Sequence, residues 1–191
     1  MKRVIIVSIL GILSMTVQAK RFAYIFSMVH PVASNELVFC NDSIEISFNM
    51  GETRIKFSLY NKLNKPLKVD WQSASVVIAG EAFSVAHIGT RYFKRNEEQI
   101  PTTVPPGATI KDELLPTDNV YYREGDFGGW KEEPLFPVKA RKIDMLKHLV
   151  GTSLDVYIPI IVGNRTHDYL FKFVITDVYR KKKVIVDEIY N

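Results

Sequence analysis

Hydrophobic and polar residues alternate along much of the chain. Over residues 44–48, Ile and Phe alternate with Glu and Ser, and the same period of two recurs over residues 54–59 and 67–71. Alternation of this kind predicts β-strands with one buried face and one solvent-exposed face. The short segments between these strands contain Asn, Gly and Pro, which are typical of turns.

The same pattern continues toward the C-terminus. Residues 75–79 and 83–87 form a short pair of alternating segments, and residues 153–162 and 168–178 form a longer pair. The longer pair is joined by a segment that begins Gly-Asn, a sequence typical of hairpin turns. This pair is the clearest predicted hairpin in the chain.

Residues 140–150 form the one segment whose pattern favours a helix. Apolar residues from Ile143 to Val150 recur at helical spacing, and Gly151 follows as a stop signal. Seven or more short strands with a single short helix indicate an all-β protein, either a sandwich or a barrel.

The parity of each strand predicts which residues share the core. A shift of one residue in register would expose the whole apolar set of a strand, so the apolar positions are expected to point inward together. The predicted core comprises Ile46, Phe57, Val69, Trp71, Val156, Ile158, Phe171 and Phe173.

The N-terminus has the features of a secretory signal. Two basic residues at positions 2 and 3 are followed by a mostly apolar run over residues 4–17. Small residues then occupy the positions that a signal peptidase recognises. The run of about 14 residues is shorter than the roughly 20 that span a bilayer. We therefore expect a cleaved signal over residues 1–19, an N-terminal segment over 20–35, and a single domain over 36–191 with no transmembrane segment.

Composition and charge exclude several classes of protein. The 191 residues are 47% hydrophobic and include one Cys, which argues against a disordered chain and against a disulfide scaffold. Without Lys2 and Arg3, the chain carries 23 basic and 21 acidic residues. This near balance does not favour nucleic acid as a partner, because nucleic-acid-binding proteins carry concentrated basic surfaces.

Two local features have more than one interpretation. The basic run over residues 180–183 is expected to be a solvated turn before a final strand at 184–189, with contact to an anionic surface or membrane as the alternative. Cys40 follows two apolar residues and is expected to be buried and unreactive, with a reactive or intermolecularly paired thiol as the alternative.

Several short sequence motifs follow one another along the chain. They include an Asn-containing turn before a strand that ends in Trp, and a proline-rich crossover. The motifs lie at residues 42–48, 55–61, 65–71, 87–89, 100–107, 115–116 and 154–159. Over about residues 36–178, the chain resembles uncharacterised bacterial extracytoplasmic proteins with an immunoglobulin-like β-sandwich, many of which are lipoproteins. The resemblance implies an all-β, immunoglobulin-like antiparallel β-sandwich with one short helix and a location in the periplasm or cell envelope. It implies no catalytic residues, and this chain lacks the lipidation Cys.

Residues 121–137 depart from the strand pattern and are predicted to form a long loop. The segment contains three glycines and five aromatic residues. Loops longer than about 12–15 residues in a compact domain are usually functional or mobile. We therefore predict a binding surface at Tyr121, Tyr122, Phe127 and Trp130, although Trp130 could instead pack within the loop.

The sequence predicts no catalytic residue, metal site or cofactor. Its four histidines show no pair spacing that would form a local metal site, and His87 has the parity of an inward-facing structural residue. The chain has no nucleophile elbow, Walker loop or dinucleotide fingerprint. A carboxylate pair for hydrolysis could be drawn from the acidic residues at positions 118, 124, 126, 132 and 133.

These observations favour a noncatalytic exported envelope protein that binds another macromolecule, which we expect to be another envelope protein. A hydrolase that uses loop carboxylates is the first alternative. The second alternative is a pilus-type or assembly subunit that completes a sheet with a strand of another chain. This alternative would be favoured by a mobile segment over residues 20–36. The sequence gives neither the specific ligand nor the oligomeric state.

Overall fold

The computed structural model describes residues 19–181. The predicted signal, apart from its last residue, and the predicted strand at 184–189 lie outside these residues. The strands are β1 Lys20–His30, β2 Val38–Cys40, β3 Ile44–Met50, β4 Ile55–Asn61, β5 Leu67–Val69, β6 Ser75–Ile78, β7 Glu81–Ala86, β8 Thr102–Val104, β9 Thr109–Pro116, β10 Val120–Arg123, β11 Gly129–Glu132, β12 Lys139–Ala140, β13 Ser153–Val162 and β14 Arg165–Arg180. Short 3-10 helices span Tyr92–Lys94, Thr117–Asn119, Ile143–Met145 and Lys147–Leu149.

Antiparallel pairing joins twelve of these strands into one sheet. Its order is β12-β1-β14-β13-β6-β7-β9-β4-β3-β2, with β5 beside β13 and β8 beside β5. The hairpin β13–β14 pairs continuously from Ser153↔Val174 to Val162↔Arg165. This is the hairpin predicted from the sequence, and its two-residue connection is the Gly-Asn turn. The protein is thus an all-β protein with antiparallel sheets, as predicted.

The large sheet folds back on itself, so that strands distant in the sheet order face each other. Phe48 on β3 lies with its ring centroid 4.8 Å from that of Phe171 and 5.1 Å from that of Phe173, both on β14. The ring centroid of Phe57 on β4 lies 6.1 Å from that of Trp71, which follows β5. One layer therefore contains β1, β14, β13 and β6, and the facing layer contains β9, β4, β3 and β2.

The predicted core is confirmed. All eight of its members are buried in one cluster of apolar side chains, and none is more than 4% exposed. The indole of Trp71 is fully buried, and its Nε1 donates a hydrogen bond of 2.7 Å to Thr102 Oγ1. The alternation of apolar and polar residues therefore predicts correctly which face of each of these strands is buried.

The N-terminal segment 20–35 contributes to the same sheet. Within it, β1 pairs with β14 from Phe22↔Arg180 to His30↔Lys172. Phe22, Phe26 and Met28 on this strand are buried in the common core. A paired strand here differs from the mobile segment that would have favoured the assembly-subunit alternative.

The predicted helix at 140–150 is present as two consecutive 3-10 turns, preceded by the short strand β12. The apolar residues Ile143, Leu146 and Leu149 recur every three residues, which matches the three residues per turn of a 3-10 helix. Leu146 is buried and the other two pack against the core. Among residues 19–181, no helix is long and apolar enough to cross a membrane.

The expectation that Cys40 is buried is wrong. Cys40 is exposed at the end of the edge strand β2, opposite Glu45 of β3. Its neighbour Phe39 points inward and packs against Phe171, with ring centroids 5.6 Å apart. Because side chains alternate along a strand, the inward position of Phe39 directs Cys40 to solvent.

Replacing Trp71 with Ala is expected to lower the free energy of unfolding by about 3–5 kcal/mol, because the substitution leaves a large cavity between the layers. Urea denaturation followed by circular dichroism measures this change. Ser73→Ala, at an exposed position two residues along the chain, is the control and should change stability by less than about 0.5 kcal/mol. A loss below about 1 kcal/mol for Trp71→Ala would contradict this packing.

Candidate functional site

The segment at 121–137, predicted as a long loop, contains a β-hairpin. Strands β10 and β11 pair from Val120↔Glu132 to Arg123↔Gly129 and form a separate two-stranded sheet. The hairpin forms because its aromatic residues have high β propensity and alternate between its two faces. Its turn needs a glycine at position 128, where a Cβ atom would lie 2.4 Å from the carbonyl oxygen of Arg123.

The hairpin brings two of the four predicted binding residues together. Tyr122 and Trp130 are directly opposite each other, and their rings meet edge to face with centroids 5.6 Å apart. Phe127 lies at the tip and is 91% exposed. Tyr121 is also exposed but points to the other face of the hairpin, because neighbouring residues on a strand alternate.

A second segment, which was not predicted from the sequence, contacts this hairpin. Tyr92 lies in a 3-10 helix, and its ring centroid is 5.8 Å from that of Trp130. The guanidinium carbon of Arg95 lies 5.4 Å from the centroid of the Trp130 ring. Arg95 is held there by hydrogen bonds of 2.8 and 3.0 Å to the carbonyl oxygens of Tyr92 and Thr117.

The pair Tyr92-Phe93, within an otherwise polar segment, was the available signal for this second contact. The segment lacks strand or helix periodicity, so its position beside the hairpin could not be derived from the sequence.

Exposed apolar side chains are concentrated on these two segments. Five of the fourteen large hydrophobic residues that are exposed between residues 19 and 181 belong to them: Phe93, Tyr121, Tyr122, Phe127 and Trp130. Single exposed apolar residues are common on protein surfaces, whereas clusters of them usually mark interaction sites. We call the surface formed by Tyr92, Phe93, Arg95, Tyr122, Phe127 and Trp130 the aromatic surface.

A partly buried ion-pair network attaches the hairpin to the large sheet. Arg54, which directly precedes β4, forms salt bridges with Glu113 of β9 and Glu132 of β11. Glu132 also accepts hydrogen bonds of 2.6 Å from Thr53 Oγ1 and 2.5 Å from the Tyr92 hydroxyl. One carboxylate thus connects the hairpin, the sheet and the 3-10 segment beneath the aromatic surface.

The network keeps Glu132 ionised. Hydrogen bonds from Arg54 lower the pKa of Glu132 to about 2, with further contributions from Thr53 and Tyr92 that outweigh the opposing effect of burial. The pKa of Arg54 is raised in turn, chiefly by its hydrogen bonds to Glu132. A carboxylate in this state is a poor general acid near neutral pH.

His87 packs against the core, as its position in the alternating pattern of its strand predicted. Its ring stacks on Trp71 with centroids 4.5 Å apart and an interplanar angle of 6°. Its Nδ1 lies 3.4 Å from Oδ2 of Asp112, which is itself buried. Within residues 19–181, no group of three His, Cys, Asp or Glu side chains is placed to hold a metal ion.

No protein-family model, curated protein or solved structure matches the chain.

The ion-pair network predicts a pH-dependent stability. The pKa of Glu132 is about 2 in the folded state and 4.5 as the reference for the unfolded chain, so the unfolded state binds the proton more strongly. The stabilisation is fully present above about pH 4.5 and is lost as pH falls toward 2. Glu132→Gln should flatten the stability curve in this range and cost on the order of 1–2 kcal/mol at pH 7, measured by urea denaturation.

The matched control for this prediction is Glu133→Gln, at the exposed adjacent position. It should retain the pH dependence of the wild type between pH 4.5 and 2. An unchanged pH dependence in Glu132→Gln would contradict the role assigned to the network.

Trp130 is expected to stabilise the hairpin, because it is only 36% exposed and packs between Tyr92 and Arg95. Replacing Trp130 with Ala should reduce stability by about 1–2 kcal/mol, through lost aromatic and cation–π contacts. Thermal denaturation measures the change. An unaltered melting temperature would show that Trp130 is available for recognition rather than needed for packing.

Proposed function

We propose that this protein is an exported, noncatalytic protein of the bacterial cell envelope that binds a protein partner through the aromatic surface. The proposal includes an immunoglobulin-like sandwich as the fold. The exposed aromatic hairpin, attached to the sheet by Glu132 and Arg54, is the observation that supports binding. The signal-like N-terminus at residues 1–19 and the resemblance to extracytoplasmic proteins support the compartment.

Aromatic side chains suit this role on physical grounds. Each buries a large apolar area on contact and has few rotatable bonds, so binding costs little side-chain entropy. Phe127 and Tyr122 are 91% and 60% exposed, so their apolar area is available to a partner. Because β10 and β11 hold the backbone beside the hairpin tip, less conformational entropy is lost on association.

The hydrolase alternative receives less support from the same geometry. Glu132 was one of its candidate carboxylates, and it is engaged by Arg54, Thr53 and Tyr92. His87 is held in contact with Trp71 and Asp112 instead. The assembly-subunit alternative also loses support, because Lys20–His30 is a paired strand.

The double substitution Tyr122→Ala/Phe127→Ala tests the proposal. Both side chains are mostly exposed, so only the contact between Tyr122 and Trp130 is lost, and the melting temperature should fall by no more than about 4 °C. Affinity for the partner should fall by at least about tenfold, as expected for aromatic residues that contribute strongly to binding. The partner is identified by cross-linking in the envelope fraction, and its affinity is then measured with the purified proteins.

Tyr60→Ala is the matched control, because Tyr60 is 38% exposed on β4 and lies outside the aromatic surface. It should leave the affinity for the same partner unchanged. Equal binding by the wild type and the double variant would remove the support for this surface as the contact site.

A further inference from the structure

A cavity of about 220 Å³ lies between the N-terminal half of β1 and the end of β3. Residues 135–138, which follow the hairpin, cover one side of it. The cavity is lined by Phe22, Ala23, Tyr24, Phe26, Met50, Gly51, Glu52, Leu135, Phe136, Val138, Tyr179 and Lys181. None of the residues exchanged in the test of the aromatic surface belongs to this lining.

Most side chains in the cavity wall are apolar. Phe22, Phe26, Leu135, Phe136 and Val138 are all buried side chains of its wall. The ring centroid of Phe136 lies 6.0 Å from that of Phe26, so aromatic edges and faces line the space. An engineered apolar cavity of about 150 Å³ is large enough to bind benzene, and this one is larger.

Two charged side chains belong to the cavity lining. These are Glu52 and Lys181, and Lys181 Nζ lies 3.4 Å from Glu52 Oε2. Arg21 donates a hydrogen bond of 3.2 Å from its Nε to the same oxygen. Burial alone would raise the pKa of Glu52, but hydrogen bonds and charges from Arg21 and Lys181 together lower it below its usual value. The trio of charged groups has a net charge of +1.

The surrounding surface adds further positive charge. The pairings Lys20↔Ala140, Arg21↔Lys139 and Phe22↔Arg180 place the ends of three strands side by side. Six exposed basic residues are found there: Lys20, Arg21, Lys139, Arg141, Arg180 and Lys181. They are distant along the chain, so the basic surface is a product of the strand order rather than of one basic run.

We propose that this cavity binds an anionic amphiphile, whose apolar chain packs against Phe22, Phe26 and Phe136. Its acidic headgroup contacts Lys181, which lines the cavity, and Arg21, which pairs with Glu52 of the lining. An apolar cavity with a positively charged border matches both parts of such a ligand. A polyanion would use the basic surface but leave the apolar interior unused. A neutral hydrocarbon would fill the interior but would not use the charges.

A series of sodium hexanoate, octanoate and decanoate tests the cavity by isothermal titration calorimetry with the purified protein, below the micellar concentration of each compound. Each added methylene should lower Kd by about fourfold until the cavity is full. Decyltrimethylammonium, with the same chain and the opposite charge, should bind at least about tenfold more weakly than decanoate. Inorganic phosphate, which has no chain, should show no saturable binding in the same range.

Variants separate the headgroup contact from the basic surface as a whole. Arg21→Gln/Lys181→Gln should weaken decanoate binding by at least about tenfold, because two charge-assisted contacts are lost and Glu52 loses its partners. The matched control Lys139→Gln/Arg141→Gln removes the same charge at the same end of the sheet, at positions that neither line the cavity nor pair with Glu52. It should change Kd by less than about twofold.

Val138→Phe reduces the cavity volume and should weaken decanoate more than hexanoate. If this variant does not fold, as judged by circular dichroism, the two double variants still decide the question because all four of their positions are exposed. Vesicles of phosphatidylglycerol then identify the source of the ligand. Co-sedimentation that decanoate reverses supports a membrane lipid as the ligand, whereas decanoate binding without co-sedimentation supports a free amphiphile.

Four results would overturn the proposal: no saturable binding of decanoate, equal affinity for all three chain lengths, equal affinity for decyltrimethylammonium, or equal losses in the two double variants. A negative result for the cavity does not contradict the proposed function of the aromatic surface, because that function is tested at Tyr122 and Phe127. Conversely, loss of partner binding in the hairpin variant does not depend on the cavity.

Discussion

The face-to-face packing of two layers from one folded sheet is the constraint on which the rest of the structure depends. Phe48 from β3 meets Phe171 and Phe173 from β14 across the core, and Trp71 fills the space beside Phe57. Because side chains alternate along every strand, this packing also fixes which residues face solvent. Cys40 is exposed for this reason, since its neighbour Phe39 occupies the inward position.

A second, local interaction holds the loops in place at one side of the sheet. Arg54 forms salt bridges with two carboxylates from separate strands, and Glu132 also accepts hydrogen bonds from Thr53 and Tyr92. Partly buried charges are stable only when paired and hydrogen-bonded, so the network restricts where β11 can lie. The hairpin can thereby present exposed aromatic side chains on a defined backbone, which is the physical basis of the proposed binding function.

Chain sections that are distant in sequence meet at the end of the sheet formed by β12, β1 and β14. Their basic residues surround a cavity whose wall is made of aromatic and aliphatic side chains. The overall charge of the chain is close to balanced, yet this region is strongly positive. Local potential, rather than net charge, governs attraction of an anionic ligand, because salt screens charges beyond about 10 Å.

The alternation of residues by itself determined the all-β class, the β13–β14 hairpin and the core around Trp71, because burial of one strand face is a local property of the sequence. Aromatic residues near Trp130 also indicated a surface of interest, although not the hairpin that carries them. Tertiary structure alone decided that β1 joins the sheet, that Tyr92 and Arg95 contact Trp130, and that Arg54 reaches Glu132. These contacts join residues far apart along the chain, and no local period encodes which segments become neighbours when a sheet folds back on itself.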